Sequence, residues 1–325
     1  MSIFRVFANK TVETLGVYWM LVRITVPIAI ATQALVETGL IRAISPFLAP
    51  IMGAFGLPPE LALTWLTGLL VGIWGAVVTI FAVVPIDTLT VADMTVLSAL
   101  LLVAHAIPIE QRIVQKAGPS FLVTSVLRIG GAMLFAMLLH CFFAATGWLS
   151  SPVQPSWTPM AQSSGWSAFA TALAKSLAMM FVVLLAISWT MELLKLIGLL
   201  DWIYRLIAPI FRLAGIGPAA LPFAGLGLFL GISYGGGMLI REARTAHIPP
   251  RQTFLACIFM GFTHSIIEDT LLVVALGADL TTVLFARLAF TIVATALIAF
   301  ALKWMPDRRF YQLCHRPLAE AGVRC

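Results

Sequence analysis

Gly68-Leu-Leu-Val-Gly72-Ile-Trp-Gly75 and Gly227-Leu-Phe-Leu-Gly231-Ile-Ser-Tyr-Gly-Gly-Gly237 are one pattern written twice, 159 residues apart. Sliding the chain along itself by that offset, without a gap, also lays Gly39, Leu40, Ala49, Pro50, Ile51, Gly56, Pro59, His105, Ile107, Gly118 and Arg128 on Gly198, Leu199, Ala208, Pro209, Ile210, Gly215, Pro218, His264, Ile266, Gly277 and Arg287. Most of these are glycine, proline, histidine and arginine, not the leucine and valine that apolar chains pair by chance. Internal duplication in a lipid-embedded chain marks many solute transporters, whose sites form where the copies meet.

The lipid setting follows from composition. Hydrophobic residues make up 61% of the 325 residues and charged residues 10%, against roughly a quarter charged in a soluble domain. Apolar stretches cover 13–38, 41–56, 60–84, 91–115 and 119–148, then 167–194, 199–214, 218–240, 252–275 and 280–304. Most approach the ~20 residues of a membrane helix. The stretches 41–56 and 199–214 are short and charged, so a short span, a re-entrant piece and an interfacial helix all stay open for them. The domain reading is a tail 1–12, a first repeat 13–148, a linker 149–166, a second repeat 167–305 and a tail 306–325. No small-residue cleavage site follows Arg5 and Lys10, so the first span is expected to be retained.

Loop charge sets the expected orientation. Pro85 to Asp93 is acidic, whereas its counterpart Arg241 to Arg251 is basic; Glu110 to Lys116, read as a loop, is basic, whereas Leu276 to Asp279 is not. Opposite charge at equivalent loops places them on opposite sides of a membrane. The expected fold is therefore an all-α polytopic membrane protein of two inverted-topology repeats, about five membrane segments each, with discontinuous helices. The basic tails put both termini in the cytoplasm. The net charge of +6 fits the same bias and shows no basic face for nucleic acid. Cys141, Cys257, Cys314 and Cys325 have no paired spacing and are read as reduced.

Two motifs carry the chemistry. Four glycines within Gly231–Gly237 each cost a helix about 1 kcal/mol, so the run is expected to unwind. Gly231, Ser233, Tyr234, Gly235, Gly236 and Gly237 would then offer backbone and side-chain contacts to a solute, with Gly72 and Trp74 in the matching place. Close helix packing through small residues is the competing reading. The second motif is Thr263-His264-Ser265-Ile-Ile-Glu268-Asp269-Thr270, matched by Ala104-His105-Ala106-Ile-Pro108-Ile-Glu110. On a continuous helix His264 and Glu268 share a face, and ionisable groups at membrane depth mark ion, proton or substrate routes. His264, Glu268 and Asp269 are assigned to proton or ion coupling, with His105 and Glu110 as the opposing half-site and Pro108 as an interruption. Arg128 and Arg287 are candidates for bracing an anion or a carboxylate. The metal alternative uses His264, Glu268, Asp269 and His105 as ligands.

No phosphate loop, nucleophile elbow or nucleotide fingerprint occurs, so neither an enzyme nor a cofactor is expected. The glycine-rich helix followed some thirty residues later by His-x-x-x-acid resembles the nucleoside recognition, or Gate, domain family. The resemblance rests on Leu226–Gly237 and Gly261–Leu272 and covers nearly all of 15–305. Spore maturation proteins A and B, the membrane part of ferrous iron transporter B and concentrative nucleoside transporters are more distantly similar. It implies a bacterial inner-membrane protein. The expected function is secondary transport of a small polar, nucleoside-like solute, coupled to a proton or cation. A divalent-cation permease and a non-transporting scaffold or sensor are the alternatives. Lipid, solute and coupling ion are the expected partners, and a homo-oligomer stays open.

Overall fold

The computed structural model describes residues 3–156, 165–245 and 248–315. All regular structure among them is helical, apart from the isolated bridges Thr90 to Pro152 and Pro119 to His315. The first copy folds as α1 (Ile3–Glu37), α2 (Leu40–Gly53), α3 (Leu61–Val71), α4 (Ile73–Val83), α5 (Val91–Val103), α6 (Ile107–Lys116) and α7 (Phe121–Thr146). The second gives α8 (Trp166–Leu196), α9 (Leu199–Leu213), α10 (Leu221–Leu230), α11 (Ile232–Thr245), α12 (Pro250–Phe262), α13 (Glu268–Ala275) and α14 (Arg287–Lys303). A π turn, Thr282–Ala286, leads into α14. Shifted by 159 residues, α12 falls on α5 residue for residue, and the other pairs agree to within a few residues at their ends.

Backbone conformation repeats as faithfully as the helices. Left-handed φ values occur at Gly39 and Gly198 (69° and 70°), Gly56 and Gly215 (66° and 83°), Gly72 and Gly231 (131° and 77°), Ala106 and Ser265 (48° and 45°), and Gly118 and Gly277 (117° and 102°). Ala106 and Ser265 carry side chains, and a non-glycine residue held there costs about 1–3 kcal/mol. Such strain gathers at functional sites, and each of these residues directly follows a matched histidine.

Among the described residues, five apolar stretches per copy thus become seven α-helices, because two of the five are broken in each copy. Gly72 separates α3 from α4, and Gly231 separates α10 from α11. The expected unwinding of 231–237 is corrected: only Gly231 leaves the helix, and Ser233 to Gly237 lie within α11. The reason is packing. Gly236 lets the Ile113 side chain approach to where a Cβ would stand 2.8 Å away, which seats α11 on α6. The segment 110–116, read as a loop, is helical, with Gln111 and Val114 buried and Arg112 and Lys116 exposed. Pro108 interrupts nothing; it occupies the first turn of α6, where a missing N–H is harmless.

By length and composition, four segments among the described residues can cross a membrane: Val91–Lys116, Phe121–Thr146, Trp166–Thr190 and Thr282–Lys303. The first of these is the broken pair α5 and α6. Helices α2 and α9 have 14 and 15 residues. At ~1.5 Å per residue each reaches about 22 Å, short of a ~30 Å hydrocarbon core.

The chain gathers into two compact units: Met1–Leu101, Ala136–Ile203 and Leu272–Asp279 form one, and Leu102–Phe135, Tyr204–Leu271 and Leu280–Cys325 the other. Each draws on both copies. In the first unit, α1 and its counterpart α8 pack antiparallel, Phe7 and Thr11 meeting Trp189 and Tyr18 meeting Phe181. Helix α1 already begins within the expected tail 1–12. Part of the expected linker is built into this unit, with the Val153 N–H on the Leu89 carbonyl at 2.9 Å; residues 157–164 lie outside the described residues. In the second unit, the expected tail 306–325 opens with α15 (Asp307–Leu313), whose Phe310 is fully buried.

Candidate functional site

Three pairs of equivalent residues meet inside the second unit: His105 with His264, Glu110 with Asp269, and Arg128 with Arg287. All six are buried, the arginines to 1% exposure. Helix breaks deliver them. Helix α5 ends at Val103 and α12 at Phe262, so each histidine stands on non-helical backbone between two short helices. Two breaks abut: the Ile266 N–H donates to the Leu228 carbonyl at 2.9 Å, and a Cβ on Gly231 would stand 2.2 Å from Ser265 Oγ. With its φ of +77°, that position requires glycine.

Ended helices leave carbonyls without partners, and the arginines fill them identically. Arg128 Nε donates to the Val103 carbonyl at 2.7 Å, and Arg287 Nε to the Phe262 carbonyl at 2.9 Å. Arg287 Nη2 also donates to the carbonyls of Leu102 (2.9 Å) and His264 (3.2 Å). A guanidinium is therefore a structural cap at each break. Thr263 and Thr291, hydrogen bonded to each other, fasten the second break to α14.

Beyond the caps the two halves differ. Arg128 Nη1 lies 2.6 Å from Glu110 Oε2, off the N–H direction, so the contact is ionic without being a good hydrogen bond. Ser233 donates to Glu110 Oε1 at 2.9 Å. Asp269 is one methylene shorter than Glu110. Asp269 Oδ2, Arg287 Nη1 and Thr270 Oγ1 have no hydrogen-bond partner among the described residues, although Oδ2 stands 3.7 Å from His105 Nε2. One half is closed by an ion pair and a serine hydrogen bond, and the other keeps Asp269 Oδ2, Arg287 Nη1 and Thr270 Oγ1 without hydrogen bonds.

The histidine tautomers follow from their partners. His264 Nδ1 lies 3.0 Å from the Met260 carbonyl, which can only accept, so Nδ1 carries the hydrogen. In the neutral ring Nε2 then accepts, from Arg128 Nη2 at 3.4 Å and from His105 Nε2 at 3.1 Å. One hydrogen thus lies between the Nε2 atoms of two equivalent histidines. Glu110 stands beside both, 3.4 Å from His264 Nε2 and 3.8 Å from His105 Nε2. A second proton would turn His264 Nε2 into a donor facing that carboxylate. The donor atoms of His105, His264 and Asp269 all lie within 4.8 Å of one another, a spacing that also suits a cation.

The expected His264–Glu268 pairing lacks its helix. Residues 263–267 separate α12 from α13, and the His264 nitrogens are engaged by Met260, His105, Arg128 and Glu110. Glu268 is half-buried, whereas Asp269 enters the cluster. Gly235 is buried in α11 and Gly237 borders open space. The side chain of Tyr234 lies outside the described residues. Gly72 and the buried Trp74 belong to the first unit and are not among the residues gathered here. Sequence reasoning missed the carbonyl caps, the Glu110–Arg128 pair and Thr291. The recurrence of Arg128 as Arg287 at the repeat offset was the legible signal, and the structure adds that each reaches 25 residues back to a carbonyl.

The uncharacterized membrane protein YvoD of Bacillus subtilis (strain 168) is 25% identical to this chain over 301 residues, covering 89% of this chain and 93% of its own. No family model matches the chain, and no solved structure does. With the apolar spans, this similarity makes the chain a helical membrane protein.

Proposed function

We propose that this protein is a secondary transporter, not an enzyme, moving a small polar solute of nucleoside-like character together with a proton. One observation carries the reading: equivalent histidines face each other, Nε2 to Nε2, at 3.1 Å inside a buried cluster of two guanidiniums and two carboxylates. Buried charge on this scale is costly unless balanced, and at membrane depth it marks ion or proton routes. Asp269, Arg287 and Thr270 supply the unfilled donors and acceptors for solute, and the histidine pair with Glu110 handles the proton. Inverted repeats agree with the antiparallel packing of α1 on α8 and with the opposite charge of equivalent loops. A bacterial inner membrane and cytoplasmic termini belong to the same reading, as does likeness to the Gate domain proteins.

The test uses proteoliposomes loaded with a pH-sensitive dye and a panel of nucleosides, nucleobases and organic acids. At least one solute should drive proton movement in the wild type. His264→Gln and Asp269→Asn should each lower it at least tenfold with normal insertion. Unchanged flux in both variants removes the assignment. The three-donor spacing of His105, His264 and Asp269 favours a second reading, divalent-cation transport. That reading predicts about one bound zinc or ferrous ion per chain, lost in His105→Asn.

A further inference from the structure

Away from the buried cluster, the second unit contains a cavity of about 510 Å³. Its walls are the end of α9 (Arg212, Leu213), the start of α12 (Arg251, Gln252, Leu255) and the last turns of α14 (Ala296, Ala299, Phe300, Lys303). Gly215 closes α9 against α14, where a Cβ would stand 2.7 Å from that of Ala299. The Gln252 side chain fixes the turn, accepting from the Gly217 N–H at 2.6 Å and donating to the Gly215 carbonyl at 3.3 Å.

The three cations of the wall are not alike. Arg251 is engaged by the carbonyls of Leu302 and Met305 and by Asp307, so it holds the end of α14 to α15. Arg212 and Lys303 have no partner among the described residues, and both are exposed. Beside them lie large exposed apolar side chains. Val293, Leu297, Phe300 and Trp304 form a stripe at helical spacing along a candidate span, 59%, 64%, 59% and 78% exposed, and Leu213 is 70% exposed. An apolar stripe on a spanning helix faces acyl chains, and a lysine–tryptophan pair at its end marks the water interface. The cavity thus sits where the hydrocarbon stops and headgroups begin, at an end of the unit where Arg308 and Arg309 are also exposed.

We propose that this cavity binds an anionic phospholipid, its headgroup phosphate between Arg212 and Lys303 and an acyl chain along Leu213, Leu255 and Phe300. Arg251 lends charge from behind while holding the wall in shape. Basic pockets between membrane helices suit such headgroups. A soluble phosphate would use the two cations but leave the apolar wall uncovered.

The protein, delipidated in a neutral detergent, is titrated with phosphatidylglycerol, with phosphatidylcholine of the same chains, and with inorganic phosphate at equal ionic strength. Binding is read by native mass spectrometry and by the shift in melting temperature. Wild type should bind phosphatidylglycerol at least tenfold tighter than phosphatidylcholine, and inorganic phosphate should neither stabilise it nor displace the lipid. Each surface cation is worth about fivefold, so Arg212→Gln with Lys303→Gln should weaken phosphatidylglycerol about 25-fold, to near the phosphatidylcholine value. Arg212→Lys, which keeps the charge, should retain the preference. Both positions are exposed, so the lipid-free melting temperature should match wild type. Equal affinity for the two lipids, stabilisation by inorganic phosphate alone, or an undiminished preference in the double variant overturns the proposal.

Discussion

Glu110 and Arg128 offer the most direct test of how the cluster is held. At 2.6 Å and fully buried, the two charges attract by about 6 kcal/mol at an effective dielectric of 20. Desolvation offsets much of that, so the pair contributes little net stability against apolar replacements. Breaking it is different. Glu110→Gln keeps a partner for the Ser233 hydroxyl but leaves Arg128 buried and uncompensated, a loss of about 3–5 kcal/mol. Arg128→Met strands Glu110 instead and also uncaps the Val103 carbonyl, for a similar or slightly larger loss. At ~2–3 °C per kcal/mol, each single change should lower the melting temperature by about 10 °C. The assay is tryptophan fluorescence on purified protein in neutral detergent, with size exclusion to confirm that each variant is monodisperse. The double variant should melt no lower than the worse single one, a coupling of at least 2 kcal/mol. Additive losses within about 0.5 kcal/mol would refute the pairing.

Glycine positions separate backbone need from packing. Gly231→Ala combines a left-handed φ with a 2.2 Å approach to Ser265 Oγ, and should lose at least 2 kcal/mol of stability and most expression. Gly237→Ala, in mid-helix beside open space, should gain about 0.5–1 kcal/mol. Loss at both positions would show that 235–237 is not helical. His315, stacked on Phe310 and covered by Gly118, has its imidazole pushed down from the ordinary value by burial. Below about pH 6.5 the unfolded chain takes up a proton that the folded chain refuses, so stability falls as pH falls. Wild type should therefore lose melting temperature relative to His315→Gln between pH 8 and pH 5.5; a constant difference would contradict the burial.

What the sequence disclosed is what repeats locally. A glycine at Gly72 and again at Gly231, each inside an apolar run, pointed to paired helix breaks. The glycines at 235–237 pointed the same way and misled, because composition records the cost of an interior glycine but not the Ile113 side chain that offsets it. The breaks at 104–106 and 263–267 were invisible, since the apolar pattern runs through them unchanged. Local spacing named Glu268 as the partner of His264. The partners found are Glu110, Arg128 and His105, and the separation of His105 is the repeat length itself. Pairing across copies is a tertiary fact, legible only as the coincidence that the same residue types recur at one offset.

Duplication also explains why the cluster is uneven. Two identical rings whose Nε2 atoms meet cannot both donate or both accept, so one hydrogen must sit on one side. The symmetry of the sequence is broken where these equivalent histidines of the two copies meet. Neighbouring substitutions deepen the difference: Glu110 reaches its arginine, whereas Asp269, a methylene shorter, leaves Oδ2 and Arg287 Nη1 without hydrogen bonds. Because the Met260 carbonyl keeps a hydrogen on His264 Nδ1, an added proton, and not an exchange between two neutral rings, is what would turn His264 Nε2 into a donor facing Glu110. A carrier needs two states of nearly equal energy that differ in which half is closed, because a ligand shifts an equilibrium only by its differential affinity for the two states. On the proposed transport reading, a proton added to the histidine pair is the event that would bias such an equilibrium, because it changes what faces Glu110.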